Sequence, residues 1–392
     1  MRVSTTVTAA ACALLLTGLT GGAAGAADSG FTADPLPPGN GSLIGSIRPD
    51  GHTTWAFGMH FAPPGQGPTI TPLLFSRDDS VPGSWRQVPL AAFAGSSRIN
   101  AAAAAPAAHG DVRDAWLVGD HDASLGGVLT EHWDGTAWHL VTVPLPGDAV
   151  DGGLLSVSED SPRDVWAAGW YQVDTTVQQP GGGTVTDTRF EGLIEHWDGR
   201  AWHKVPLADP AAFDPNTVLA RGPHDVWAGG YTDQDQPELR HFDGRTWKTA
   251  PLPTTGLYGE VNQIAAAPDG TLWAVGRTLL DEKDRGHALV LRAAPGGAWQ
   301  QAAAPEGTGR LSALAVTPQG VTVVGATAPD DDTSAVLRLT GTRWRDLELP
   351  QPSDSSAYVV GLSAAPGTIT LVGGSVPVGA DDSVPLVLTR RR

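Results

Sequence analysis

Cysteine is all but missing from this chain: Cys12 is the single one among 392 residues. It lies inside an apolar stretch at the extreme N-terminus, so disulfides cannot hold the remainder together, and burial and sheet pairing must do that work. Basic residues are scarce as well. Without Arg2, 24 of them face 42 acidic ones, a formal charge of −18. That balance excludes nucleic acid and anionic membrane surfaces as natural partners, because both demand Lys and Arg, and it leaves cationic partners open. Long hydrophobic runs are absent too. Residues 7–20 (VTAAACALLLTGLT) are apolar but too few to cross a bilayer.

That run has another use. Met1-Arg2 supplies a short positive start and Ala24-Gly25-Ala26 an A-x-A cleavage site, with Gly25-Ala26-Ala27 as a near alternative. A signal peptide over 1–26 and ordinary secretion to the extracellular space are therefore expected. A single arginine does not make a twin-arginine signal, and Cys12 sits inside the run rather than after it, which rules against a lipoprotein anchor. Helical spacing of apolar residues is convincing nowhere.

What is present is a repeat. A short apolar strand ending in glycine recurs as TTWAFG (53–58), DAWLVG (114–119), DVWAAG (164–169), DVWAGG (225–230), TLWAVG (271–276), GVTVVG (320–325) and TITLVG (368–373). A second segment follows each of the first six, most cleanly TEHWDGTAWHLV (130–141), IEHWDGRAWHKV (194–205) and LRHFDGRTWKTA (239–250). The Asp-Gly pairs at its centre mark tight reversals between strands. A further apolar stretch precedes each glycine motif. Each unit thus reads as four short strands, a, b, c and d, the composition of a propeller blade. The expected fold is all-β: one seven-bladed β-propeller of four-stranded antiparallel blades over 27–392.

The seventh unit has a, b and c (LVLTRRR, 386–392) but no d. The missing strand stands at the other end of the mature chain, where Phe31…Pro35-Leu36 repeats the pattern of Trp85…Pro89-Leu90, Trp202…Pro206-Leu207 and Trp247…Pro251-Leu252. Residues 31–37 are expected to close blade 7. Thirteen of fourteen tryptophans fall on the template, in strands b, c and d. Each buries up to about 150–250 Å², an upper bound near 4–6 kcal/mol, and packing between blades accounts for them.

The runs DVWAAG…IEHWDGRAW and DVWAGG…RHFDGRTW resemble the tryptophan-rich repeats of secreted bacterial propellers, and in scaffold the kelch and galactose-oxidase central-domain type. The resemblance implies a shape and no activity. Only Gly229-Gly230 and Gly373-Gly374 approach the kelch double glycine, and copper-radical chemistry needs a cysteine that the mature chain lacks. The WDGRAW turn is also similar to a sialidase Asp-box without its leading Ser/Thr, and no arginine triad assembles from the sequence.

Function is expected on the face where the b–c and d–a loops emerge. The b–c loops hold fifteen acids, among them Asp233, Asp235, Asp281 and Asp330–Asp332, against Arg189, Lys283 and Arg285. Trp170, the one tryptophan off the template, follows Gly169; Tyr171 follows it, Tyr231 takes the equivalent position in blade 4, and Tyr258 lies in the next d–a loop. Blade 3 carries the longest b–c insertion, 171–190, with Gly181-Gly182-Gly183 in its middle. Aromatics beside carboxylates suit a carbohydrate or a cationic group. The candidate ligand-binding residues are Trp170, Tyr171, Tyr231, Tyr258, Asp233 and Asp235, with no catalytic residue among them.

His132, His196 and His241 recur at one strand-c position and read as structural. No H-E-x-x-H, phosphate loop or G-x-S-x-G occurs, and Asp233-Gln234-Asp235 and Asp330-Asp331-Asp332 are incomplete calcium loops, so no metal or cofactor is expected. The expectation is a monomeric, non-catalytic extracellular binding propeller. The alternative is a glycan-active hydrolase or lyase, which needs two carboxylates converging across the axial mouth at roughly 5–9 Å.

Overall fold

The computed structural model describes residues 30–62, 70–81, 83–91, 95–105, 112–121, 127–281, 286–327, 333–350 and 352–391. The expected signal peptide, Asp330–Asp332 and Glu282–Arg285 lie outside them. Seven antiparallel sheets of four strands make the whole fold. Strand a of each blade packs against strand a of the next, from blade 1 (Gly41–Ile47) through Ser97–Ala104, Ala149–Ser161, Phe213–Ala220, Tyr258–Ala266 and Thr308–Thr317 to Ser355–Ala365 of blade 7, and from there back to blade 1. The strands a therefore surround the axis, and the ring is closed.

Every strand a is bulged at the same step, where its pairing with strand b shifts: Leu43/Gly45, Ile99/Ala101, Leu154/Ser156, Pro215/Thr217, Val261/Gln263, Leu311/Ala313 and Val359/Gly361. This explains the repeated glycine. The kinked strand presses a backbone carbonyl against strand b, so a Cβ at Gly230 would lie 1.9 Å from the Asp214 oxygen and one at Gly276 1.9 Å from that of Glu260. The other five motif glycines meet the equivalent carbonyl at 1.9–2.2 Å.

The bulged residues also stitch the ring. Asn100 Nδ2 donates to the Leu154 carbonyl (2.9 Å), Asn216 Nδ2 to that of Val261 (3.3 Å) and Asn262 Nδ2 to that of Leu311 (2.9 Å), each crossing to the next blade. Tryptophans fill the wedges between blades, buried or half-buried at all thirteen template positions. Trp116, for example, meets both Trp197 and Trp202 of the following blade at 4.8 and 5.0 Å between ring centroids.

The repeated histidines are part of this frame. His132, His196 and His241 each stack on the strand-b tryptophan beside them at 4.4–4.5 Å. Each is hydrogen-bonded through Nε2 to the aspartate two residues before that tryptophan, Asp114, Asp164 or Asp225, at 2.8–3.0 Å. At the Asp-Gly turns, Asp198 Oδ1 accepts from the Arg200 and Ala201 amides while Gly199 adopts φ +91°.

Closure occurs as the repeat demands. Thr32 pairs with Thr389 and Ala33 with Leu388, and the Asp34 amide donates to the Val387 carbonyl at 2.9 Å. Phe31 is buried in the cluster of Val324, Leu347, Leu371 and Leu388.

Candidate functional site

The bulge decides which side chains reach the axial mouth on the b–c/d–a face. The residue just before the bulged pair of strand a and the residue just after the strand-b glycine are paired across the sheet: Arg98 with Asp120, Gly153 with Trp170, Asp214 with Tyr231, Glu260 with Arg277. Arg310 holds the same strand-a position in blade 6.

These residues form two contrasting groups. In blade 2, Asp120 Oδ2 accepts from Arg98 Nε (3.0 Å) and Asn100 Nδ2 (2.8 Å), so that carboxylate is satisfied. In blades 5 and 6, the Glu260 carboxylate faces Arg310 Nε at 3.3 Å and Arg277 Nε at 3.9 Å. Blade 4 lies between them with no such compensation. Asp214 makes no ion pair among the described residues, and neither do Asp233 and Asp235. Burial, and then the charges of Asp233 and Asp235, push the Asp214 carboxyl up to about 6. Burial together with the charges of Asp214, Glu260 and Asp235 pushes the Tyr231 phenol well above its ordinary range.

Local backbone bonding fixes this corner. Strand b of blade 4 (Val226–Thr232) turns through Asp233, Gln234 and Asp235, closed by bonds from the Asp235 amide to the Thr232 carbonyl (2.9 Å) and from the Thr232 amide to the Gln236 carbonyl (2.8 Å). Asp235 takes φ +57°, a conformation that aspartate tolerates. Its carbonyl accepts from the Gly259 amide at 2.7 Å, so the acidic turn is docked onto the start of blade 5 beside Tyr258. Tyr231, Asp233, Asp235 and Tyr258 are thus brought together.

The blade 3 residues are divided. Trp170 is half-buried at the mouth, 5.4 Å from Phe190 in an edge-on contact. A Cβ on Gly153 would lie 3.2 Å from the Trp170 Nε1 and 3.1 Å from the Asp120 Cβ, so the absence of a side chain there makes room for the indole. Tyr171 lies under the face instead, 3% exposed within the core cluster of blades 2 and 3. Its hydroxyl donates to Glu191 Oε2 and accepts from Lys204 Nζ at 3.2 Å, and that ammonium sits 4.3 Å above the ring.

The insertion in blade 3 is a β-hairpin arm. Strand b runs on through Asp164–Gln178 and strand c through Thr184–Trp197, paired without a break from Val165/Trp197 to Gln178/Thr184. Gly181, Gly182 and Gly183 turn its tip, all at positive φ.

Asp214, Glu260, Arg98, Arg277 and Arg310 were not legible as site residues. Arg98, Arg277 and Arg310 also offset the acidic excess of the loops, so the mouth is a mosaic whose unneutralised part is blade 4. The signal that finds them is positional: one residue beyond the strand-b glycine, and its partner on strand a.

Among the described residues, no group of three or more His, Cys, Asp or Glu side chains could hold a metal ion. No helix among them is long and apolar enough to cross a membrane. No protein-family model matches the chain, and no curated protein matches it. Among solved structures, YCF48 bound to a D1 peptide is similar at a TM-score of 0.54 and 16% identity, over 93% of this chain and 97% of that one. A Trypanosoma rangeli sialidase in complex with the inhibitor DANA superposes at 0.46 and 10% identity, over 92% of this chain and 59% of that one. The polysaccharide lyase Uly1 gives 0.46 and 9%, over 90% of each chain. At 16% identity the likeness to YCF48 is one of fold, and the seven four-stranded blades make that fold a seven-bladed β-propeller.

Proposed function

We propose that the protein is an exported, non-catalytic binding module whose b–c/d–a face receives a cationic group of an extracellular partner at the mouth of blade 4. The observation that carries this reading is the acidic corner made by Asp214, paired across the sheet with Tyr231, and by Asp233 and Asp235 in the turn that follows it. It comprises three carboxylates without a counter-ion among the described residues, one of them partly withdrawn from water, beside an aromatic ring. A lysine or arginine side chain entering there restores charge balance and meets a π face. Tyr258 and Trp170 border the same mouth and supply further apolar contact. Export follows from the N-terminal segment, and the kelch-like scaffold from the repeat.

Titration calorimetry with an arginine-containing peptide and its citrulline counterpart tests this. Binding should favour arginine, weaken with salt, and fall at least tenfold in Asp214→Asn and in Tyr231→Ala. Equal binding of both peptides, or unchanged affinity in both variants, overturns the reading.

One observation favours a second reading, a glycan-active hydrolase. Asp214, pushed toward protonation by burial, is paired across the sheet with Tyr231, and Glu260, flanked by Arg277 and Arg310, holds the equivalent strand-a position in the next blade. Two carboxyls at one mouth, one of them with a raised pKa, are what acid–base cleavage of a glycosidic bond calls for. Release of reducing sugar from a glycan panel, abolished in Glu260→Gln, would establish it over binding.

A further inference from the structure

The arm of blade 3 has an unused sheet edge. Strand d of that blade covers strand c only at Glu195, His196 and Trp197. From Thr184 to Phe190, strand c is exposed at every residue and has no strand on its outer side among the described residues. Strand d is the outer strand of the blade, so this edge points away from the axis, clear of the mouth. A bare edge is a template for another strand.

The sequence of that edge is complementary to itself. The Ile194 carbonyl accepts from the Val205 amide of strand d at 2.8 Å, so the backbone groups of Ile194 point outward. Pairing with strand b is unbroken along the arm, so alternation carries the same direction to Thr184, Thr186, Thr188 and Phe190. Laid antiparallel on its own copy with Thr188 opposite Thr188, the edge exchanges hydrogen bonds at Thr188/Thr188 and twice at Thr186/Phe190. The pairs between them are Asp187 with Arg189 and Arg189 with Asp187. These are non-hydrogen-bonded positions, where side chains approach most closely. Neither Asp187 nor Arg189 has an ion-pair partner within its own chain among the described residues. Around a two-fold axis, both find one.

Apolar surface lies on the same hairpin. Val177 and Val185 are directly opposite each other and 43% and 42% exposed, and Phe190 is 44% exposed. Exposed apolar side chains beside an uncovered edge favour burial against a partner.

We propose that two copies of this protein associate through their blade 3 arms, Thr184–Phe190 of each pairing antiparallel about Thr188 to give a continuous sheet across a two-fold axis. The interface is a single short strand per copy, well below the area of an obligate dimer, so association is reversible and depends on concentration. It leaves the mouth of blade 4 free on both copies, and replaces the expectation of a monomer.

Charge exchange tests it with the intact protein. Sedimentation equilibrium over rising concentration should show a monomer–dimer equilibrium for the wild type. Arg189→Asp sets two aspartates against two, and Asp187→Arg two arginines against two, so each variant alone should dimerise at least tenfold more weakly. An equimolar mixture of the two pairs every acid with a base and should recover a heterodimer, and a chain carrying both exchanges should recover a homodimer. Circular dichroism of the single variants, unchanged from wild type, confirms that folding is intact. A wild type monomeric throughout, or single variants that dimerise as well as wild type, overturns the proposal. A mixture that fails to associate does so too.

Discussion

The guanidinium of Arg77, wholly buried in blade 1, forms an ion pair with the carboxylate of Asp34, which belongs to the strand that closes blade 7. The same carboxylate oxygen accepts from Thr389 Oγ1 at 2.7 Å and from Trp85 Nε1 at 3.2 Å, and Thr389 Oγ1 accepts from Arg77 NH1 at 3.0 Å. Arg77 is completed by Asp79 at 2.8 Å and by the face of Trp85 at 4.8 Å. Three segments from two blades and both ends of the fold meet at one charge pair.

Removing Asp34 leaves the buried Arg77 with Asp79 as its only counter-ion, which costs part of the about 3–5 kcal/mol lost when a buried pair is broken outright. Asp34→Ala should lower the unfolding free energy measured in urea by about 1–3 kcal/mol, and Asp34→Asn by less. Amide exchange at Asp34, whose N–H bonds the Val387 carbonyl, should accelerate before the rest of the sheet. Equal protection of Asp34 in wild type and variant would dismiss the clasp.

The motif glycines should tolerate no side chain. Gly230→Ala sets a methyl 1.9 Å from a backbone oxygen in a sheet held on both sides, and we expect a loss of about 1–3 kcal/mol or more in chemical denaturation. Gly39→Ala, where a Cβ meets nothing within 4 Å, is the matched control and should be near neutral.

Tryptophans on and off the template should part company. Trp116→Ala empties a wholly buried site between blades and should cost about 3–5 kcal/mol. Trp170→Ala, half-buried beside Phe190, should cost less than about 1 kcal/mol while weakening binding at the mouth.

Acidity should stabilise the fold across a defined range. Burial pushes Glu131 up to about 7 and Glu195 up to about 8, from an ordinary value near 4.5. Between 4.5 and those values the folded state holds protons that the unfolded state has released. The stability these two groups contribute therefore falls as pH rises, by up to about 1.4 kcal/mol per pH unit for each group, and their contribution levels off above 8. Glu131 Oε2 accepts from the Ala91 amide at 2.9 Å, whereas neither Glu195 oxygen has a hydrogen-bond partner among the described residues. Glu195→Gln should flatten the pH slope of the unfolding free energy between 5 and 8.

The blades, the turns and the closing strand were legible because each rests on a spacing that recurs: an apolar run against a glycine, an Asp-Gly reversal, an aromatic four residues before Pro-Leu. Tyr231, Asp233, Asp235 and Tyr258 were legible as neighbours because they flank one loop of blade 4 and the next link. Asp214 and Arg310 were not, since a bulge turns their positions toward the mouth and a bulge leaves no mark in composition. The burial of Tyr171 beside Trp170 follows from strand alternation, which reads as strand only once the insertion is known to continue the sheet. Lys204 and Glu191, which occupy its hydroxyl, come from two other strands.

The bond from Thr32 Oγ1 to the Thr389 carbonyl spans 357 positions. A chain emerging from the ribosome in order must carry Phe31, an apolar side chain destined for a dry pocket, through the making of six blades before its pocket exists. Meanwhile blade 7 waits with a raw edge for a segment made first. The final contact is thus the one of greatest sequence separation, and loop-closure entropy makes it late and slow. A nascent or half-emerged copy therefore presents a sticky strand and a matching vacancy, and two such copies in proximity could trade strands before either seals its own circle.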